Sequence, residues 1–90
     1  MPVIKFTSNL KRFYPDLKPV SVTGSTVAEI LEQINKDYNG IKDYVVDERG
    51  ALRKHVNIFI GNDMIKDRVK LRDDLGEEDE VCIMQALSGG

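Results

Sequence analysis

The clearest periodic pattern lies in the second quarter of the chain and predicts one main helix. Thr26 and Glu29 have the Thr-x-x-Glu spacing of a capping box, in which the hydroxyl and carboxylate satisfy backbone donors at the helix start. Asn39-Gly40 is a suitable stop, because glycine adopts the left-handed conformation without steric cost. Between these signals apolar residues recur at helical spacing and form one stripe: Val27, Ile30, Leu31, Ile34 and Tyr38. We therefore predict a helix over about residues 26–39 that packs on a sheet.

Four short segments alternate in the period-two manner of strands. They span residues 3–7, 18–22, 55–60 and 81–84. Apolar residues share a face in each: Ile4 with Phe6, Val20 with Val22, Val56 with Ile58 and Ile60, and Val81 with Ile83. The first two segments are close enough along the chain to form a hairpin.

The segments between these elements predict turns and one ambiguous stretch. Residues 41–47 fit either a short helical turn or a strand, whereas residues 48–50 and 61–63 are typical turn sequences. Basic residues alternate with other residues over 66–72, which favours an exposed edge, and the acidic residues 77–80 indicate a solvated turn.

The order strand, strand, helix, variable middle, strand, turn, strand predicts an α+β domain of the β-grasp, ubiquitin-like kind. In that layout a mixed sheet carries one main helix, and the first and last strands lie side by side and parallel at its centre. We expect residues 1–90 to form one domain, from which residues 85–90 leave as a flexible Gly-Gly tail.

Composition excludes several classes of function. One cysteine and one histidine leave no disulfide framework and no thiolate or imidazole metal cluster, so we expect no bound metal or cofactor. The net charge of −2 and the absence of a Lys/Arg run argue against nucleic acid as a partner. Neither a signal pattern nor a membrane-length apolar run occurs, so we expect a cytoplasmic protein that is monomeric when free.

Five stretches of the chain, taken in order and with their spacing, resemble the MoaD/ThiS family of ubiquitin-like sulfur carriers. Within it the CysO-type carriers of cysteine biosynthesis look most similar. The stretches are residues 24–27, 38–41, 55–60, 79–83 and 85–90. Three departures lie in turns and at a strand end. Gly76-Glu77-Glu78-Asp79 stands where the family commonly has Asp-Gly-Asp, Met84-Gln85 stands where a proline is common, and Gly61-Asn62 stands in place of the hairpin Asn-Gly.

The resemblance implies a carrier and not an enzyme. An E1-like enzyme of the MoeB/ThiF type would use ATP to adenylate the carboxylate of Gly90, and a sulfur donor would then displace AMP to leave a thiocarboxylate. A sulfur-accepting biosynthetic enzyme for a cysteine- or homocysteine-type amino acid, molybdopterin or thiamine would take the sulfur. A JAMM-type metalloprotease would be a further partner if the gene continues past Gly90. Leu87, Ser88 and Gly89 would thread the partner's channel, where glycines offer no Cβ to obstruct it.

Two further residues are candidates for contact with a partner. Phe59 is expected to point away from the helix, with Met84 on the same face, so the two predict a docking patch or, alternatively, a partly covered surface. Cys82 shares that phase and is expected to be an inert strand residue in preference to a sulfur-relay thiol. His55 is expected at a strand entry, on the surface.

Two other functions remain open from the sequence. The chain could be a ubiquitin-like protein modifier that is joined through Gly90 to lysines of target proteins, because the same fold and tail serve both roles. It could also be a β-grasp interaction module whose tail has no function.

Overall fold

A computed structural model describes residues 1–85 and shows short helices and strands around one main helix. The elements in chain order are β1 (Val3–Phe6), α1 (Ser8–Lys11), β2 (Val20–Ser21), α2 (Val27–Asp37), α3 (Lys42–Val45), β3 (Val56–Ile60), β4 (Asp63–Met64) and β5 (Glu80–Gln85). Residues 86–90, which include the predicted reactive tail, lie outside the described range.

The strands form one mixed sheet in the order β2-β1-β5-β3-β4. β1 pairs antiparallel with β2 and parallel with β5, while β3 pairs antiparallel with both β5 and β4. The last strand therefore lies at the centre, beside the first. This topology with one main helix is the β-grasp, ubiquitin-like fold, and the predicted fold class is confirmed.

The main helix begins where the capping pattern predicts. The backbone N–H of Glu29 donates to Thr26 Oγ1 over 3.2 Å. The Glu29 carboxylate reaches back one residue beyond the cap and accepts from the backbone N–H of Ser25 over 2.8 Å. At the other end Tyr38 caps the helix, and Gly40 adopts a left-handed φ of 89°. The helical residues are 27–37, slightly fewer than the predicted 26–39.

The core lies between α2 and one face of the sheet. The predicted helix stripe is buried, and Tyr38 packs partly against it. The predicted alternation also holds for the strands. Their core-facing residues, buried or partly buried, are Ile4, Phe6, Val56, Ile58, Ile60, Val81 and Ile83. Because only one side of the sheet carries the helix, the alternate side chains are left on an open face.

The structure adds to the sequence prediction in two segments and differs from it in two others. Residues 8–11 form the short helix α1, which was not predicted, and the stretch 41–47, which fitted either a helical turn or a strand, contains the short helix α3. The predicted exposed edge at 66–72 is wrong, since the edge strand is β4 and residues 66–72 form a loop. The Asp67 carboxylate accepts backbone N–H groups of Val69, Lys70 and Arg72, which curls this segment away from a strand. Gln85 belongs to β5 and not to the tail, which was predicted to begin there.

Candidate functional site

A row of side chains crosses the open face of the sheet on four adjacent strands. Cys82 on the central strand has Lys5 of β1 on one side and Phe59 of β3 on the other, and Phe59 in turn pairs with Met64 of β4. One step along β5, Met84 pairs with Asn57 and so lies diagonal to Phe59. We call Phe59, Met64, Cys82 and Met84 the open-face patch. The predicted placement of Phe59 and Met84 on one face agrees with this arrangement.

The open-face patch exposes apolar area that the fold does not use. Met84 is 42% exposed and Met64 is 49% exposed, while Phe59 and Cys82 are partly buried. Methionine side chains adapt their shape to a partner, and the partly buried aromatic beside them adds contact area. This face can therefore bind an apolar protein surface.

One end of the open-face patch is bounded by an ion pair on the same face. Lys5 Nζ lies 2.5 Å from Glu80 Oε1, and both side chains are more than half exposed. The hydrogen bond from Lys5 to Glu80, together with the charge of that carboxylate, raises the pKa of the lysine. An exposed ion pair of this kind contributes little to stability.

The other end of the patch adjoins the start of the tail. Gln85, the last residue of β5, pairs with Val56 at the start of β3. On the opposite side, the Thr7 N–H donates to the carbonyl of Ile83 over 3.2 Å. The strand that leads into the tail is therefore held on both sides as far as Ile83, and by β3 alone at Gln85. Leu87, Ser88, Gly89 and Gly90 lie outside the described residues, so their predicted roles stay predictions.

Arg68 is a residue at this end that the sequence did not indicate. Its Nη1 donates to Asn57 Oδ1 over 3.0 Å, and its Nη2 donates to the carbonyls of Arg53 and Val56 over 3.1 and 3.0 Å. The guanidinium thus ties the loop after β4 to the start of β3. No local motif marks it. Met64 was also missed, although the two-residue turn Gly61-Asn62 sets a register that places it opposite Phe59.

The remaining polar candidates show no catalytic arrangement. His55 is exposed beside the start of β3, as predicted, and Cys82 is a free thiol between Lys5 and Phe59. Residues 1–85 hold no group of three or more His, Cys, Asp or Glu side chains placed to bind a metal ion. Among those same residues, no helix has the length and apolar character needed to cross a bilayer.

A β-grasp sheet whose central strand leads toward a Gly-Gly sequence, beside an open apolar face, defines the class of ubiquitin-like carriers. The model of the ThiS family matches residues 4–90, so the chain belongs to the ThiS family. It is a sulfur carrier and not an enzyme, as the resemblance implied. Carriers of this family act through partner enzymes.

Individual relatives agree with this assignment. The sulfur carrier protein CysO of Mycobacterium tuberculosis is 28% identical over 75 residues, which cover 81% of each chain. A chain in the crystal structure of the BexX/CysO complex from Amycolatopsis orientalis superposes with a TM-score of 0.85 at 22% identity, covering 100% of both chains. Small archaeal modifier protein 1 of Methanosarcina acetivorans gives a TM-score of 0.76 at 24% identity, over 99% of this chain and 95% of its own.

Proposed function

We propose that the chain carries sulfur as a thiocarboxylate on Gly90, after adenylation by an ATP-dependent E1-like enzyme. The observation that carries this proposal is the position of β5. This strand pairs with β1 as far as Ile83 and with β3 as far as Gln85, and in the sequence it is followed directly by Ala86-Leu87-Ser88-Gly89-Gly90. A rigid strand end limits the directions in which a short segment can project, which favours delivery of its last residue into a partner's channel.

The chemistry begins with a carboxylate, which is a poor electrophile. An oxygen of the Gly90 carboxylate attacks the α-phosphorus of ATP and pyrophosphate leaves, giving an acyl adenylate. A sulfide equivalent then attacks the acyl carbon and AMP leaves, so the product is –C(=O)S⁻. The carrier supplies only the acyl group and its presentation, whereas the partner supplies the groups that activate it. Gly89 and Gly90 carry no Cβ and so fit a narrow channel.

The open-face patch is the proposed docking surface for the adenylating enzyme. Met84 lies on β5 itself and Phe59 on the adjacent strand β3, both on the open face. One partner can therefore bind the patch and the tail together. Binding at both places makes entry of the tail an intramolecular step and raises its effective concentration.

The acceptor of the sulfur is proposed to be an enzyme that forms a cysteine- or homocysteine-type amino acid. The support is the likeness to the CysO carriers. Molybdopterin and thiamine biosynthesis are the other routes that a carrier of this family could serve. A genetic test separates them: we expect deletion of the gene to cause a requirement for the amino acid and not for thiamine or molybdenum cofactor.

Intact-mass spectrometry tests the central proposal. The chain ending at Gly90 is incubated with its adenylating enzyme, ATP and sulfide, and we expect its mass to rise by the difference between sulfur and oxygen. A variant lacking Gly89 and Gly90 is the control and should not change. An unchanged mass in the intact chain, with an enzyme shown to be active on ATP, would contradict the proposal.

A pair of matched variants tests the docking surface. Phe59→Ser removes an aromatic from the open-face patch, whereas Val69→Ser removes an apolar side chain that is 67% exposed on the loop after β4. We expect Phe59→Ser to raise the KM of the carrier in ATP–pyrophosphate exchange by about tenfold, since central aromatic anchors dominate interfaces. Val69→Ser should leave it unchanged. Equal effects of both variants would remove the patch from the proposal.

Protein modification is a second candidate, favoured by the likeness to small archaeal modifier protein 1. In that role a target lysine amine would attack the activated Gly90 carbonyl and form an isopeptide bond. Conjugates of higher mass in cell extracts that disappear when Gly90 is deleted would support it. The remaining alternative, an interaction module whose tail has no function, predicts normal growth after removal of Gly89 and Gly90. A growth defect in that variant would exclude it.

A further inference from the structure

The sheet has one end at which the central strand β5 terminates, and this end carries a set of residues that the proposed function does not use. We call it the tail-exit edge and define it as Lys11, Arg12, Phe13, Tyr44, Arg53 and Lys54. These residues come from the end of α1, from α3 and from the segment before β3, so three separate parts of the chain meet there.

Backbone hydrogen bonds fix these segments around the end of β5. The Thr7 N–H donates to Ile83, which places the start of α1 beside the strand end. The Arg53 N–H donates to the carbonyl of Val45 over 3.0 Å, and Arg53 Nε donates to the carbonyl of Asp43 over 2.9 Å. α3 is therefore tied to the segment that enters β3, whose first residue pairs with Gln85.

The centre of the tail-exit edge is a stacked aromatic pair. The rings of Phe13 and Tyr44 lie 4.7 Å apart with an interplanar angle of 23°, and Tyr14 packs edge-on against Tyr44 at 5.9 Å. Phe13 is nevertheless 55% exposed. A large aromatic that is held in place by a neighbour but left open to solvent is a pre-organised contact, because little side-chain entropy remains to be lost on binding.

The two ends of β5 differ in the charge of the residues near them. Four exposed basic residues lie on the segments that meet at this end: Lys11 and Arg12 at the end of α1, and Arg53 and Lys54 before β3. Arg68 donates to the carbonyl of Arg53, and Asp43 is the acidic residue of α3. The start of the strand instead carries the acidic run Glu77-Glu78-Asp79-Glu80. The overall charge of −2 conceals this separation. A cationic end attracts carboxylates and repels other cations, so it selects the orientation in which a charged partner approaches.

We propose that the tail-exit edge is a second docking surface, which binds a carboxylate-rich rim around the channel of the adenylating enzyme. This inference rests on the proposed function. The five residues after Gln85 span at most about 18 Å when fully extended. An enzyme that holds Gly90 at its active site must therefore come within that distance of Gln85, the end of β5 at which this edge lies. Arg68 joins the edge to the open-face patch through Asn57, which pairs with Met84, so the two surfaces are continuous.

The test compares two double variants with the same change in charge. Lys11→Glu/Lys54→Glu reverses charge at the tail-exit edge. Lys36→Glu/Lys70→Glu reverses it at two exposed sites elsewhere, one near Met1 and Ser21 and one near Ala28. Each is assayed with the purified adenylating enzyme by ATP–pyrophosphate exchange, at low salt and at high salt.

We expect Lys11→Glu/Lys54→Glu to raise the KM of the carrier by about tenfold or more at low salt, with little change in kcat. The difference should shrink at high salt, because salt screens exposed charges. The control should keep a KM close to that of the wild type. The neutral variant Lys11→Gln/Lys54→Gln should show an intermediate rise, which also serves if the charge reversal fails to fold.

Two results overturn the inference. A KM that is the same for the wild type and both Lys11/Lys54 variants removes the edge from the interface. An equal rise in the Lys36/Lys70 control shows that net charge alone is responsible. Both results require exchange with the wild type, so they leave the proposed function standing. A wild type that supports no exchange overturns the proposed function together with this inference.

Discussion

The two faces of the sheet are made by alternate residues of the same strands, yet they differ in what their side chains do. On the helix-covered face Ile58 and Ile83 are fully buried, whereas on the open face their sequence neighbours Phe59 and Met84 remain partly or largely accessible. Burial of apolar area stabilises the fold, so the covered face accounts for most of the stability. The open face retains apolar groups without that benefit, which is the pattern expected of a binding surface.

The sharpest test of this contrast uses two adjacent residues of β3. Ile58→Ala should lower the free energy of unfolding by about 2–5 kcal/mol, because it leaves a cavity in the core. Phe59→Ala should cost much less stability while impairing adenylation. Urea unfolding monitored by circular dichroism measures the first effect, and pyrophosphate exchange measures the second. Equal losses of stability would show that Phe59 belongs to the core.

A second test concerns the covered face where α2 begins. Gly24 has a φ of 154°, and a Cβ there would lie 2.9 Å from Ile30 Cγ2. Gly24→Ala should therefore cost about 1–3 kcal/mol of stability, through overpacking and backbone strain. Gly61→Ala is the matched control, because its φ of 61° is also positive but no atom lies within 4 Å of the added Cβ. If Gly61→Ala costs as much, the close packing at Gly24 has no effect of its own.

A third, smaller effect is expected at the helix cap. Thr26→Ala removes the acceptor for the Glu29 N–H and should cost about 1 kcal/mol. Thr26→Ser keeps the hydroxyl and should retain most of the stability. Thermal unfolding of the three proteins measures the difference. A serine variant as unstable as the alanine variant would mean that the cap contributes through its methyl group.

The smallest expected effect is a pH-dependent change in stability. It concerns the loop of residues 66–72, which contacts both faces of the sheet. Its Leu71 packs in the core under α2, while its Arg68 reaches the open face. Within the loop, the N–H of Lys70, followed by those of Arg72 and Val69, lowers the pKa of the Asp67 carboxyl below its usual value of 3.8. A carboxyl with a lowered folded-state pKa stabilises the fold above its unfolded-state value, and the contribution disappears as the pH falls through the folded-state pKa.

Asp67→Asn should therefore have a lower free energy of unfolding than the wild type at neutral pH. The difference in free energy between the two proteins should disappear as the pH falls below about 4. Urea midpoints measured across pH 2–7 follow this change. Asp74→Asn, which makes the same change of charge at an exposed position, is the control and should cost less stability than Asp67→Asn at neutral pH. A gap that persists at low pH would show that the amide disturbs the loop for steric reasons.

The elements that the sequence predicted correctly are those in which periodicity and burial coincide. The stripe from Val27 to Ile34 and the alternation of β3 and β5 appear as predicted, because a single sheet face under one helix imposes both periods. The loop at residues 66–72 was predicted wrongly. Its alternating charges mimic an edge strand, but its shape depends on hydrogen bonds to the Asp67 carboxylate and on the left-handed φ of 56° at Leu71.

The candidate site was predictable only in part, for a similar reason. Phe59 and Met84 follow from the phase of their strands, and Met64 could have been found from the hairpin register. Arg68 and the tail-exit edge arise from contacts between residues far apart in sequence, such as Phe13 with Tyr44, and no local pattern records these contacts. The role of Gly90 comes from the resemblance alone and stays a prediction.

The central position of β5 has a consequence for the order of folding during synthesis. Its two neighbours, β1 and β3, do not pair with each other, so each keeps one unpaired edge until residues 80–85 insert between them. Val81 and Ile83 also complete the core. The sheet can therefore close only after residues 80–85 have been synthesised, and long-range pairing of this kind is slow. Completion of the fold is thus tied to the strand that immediately precedes the tail in the sequence.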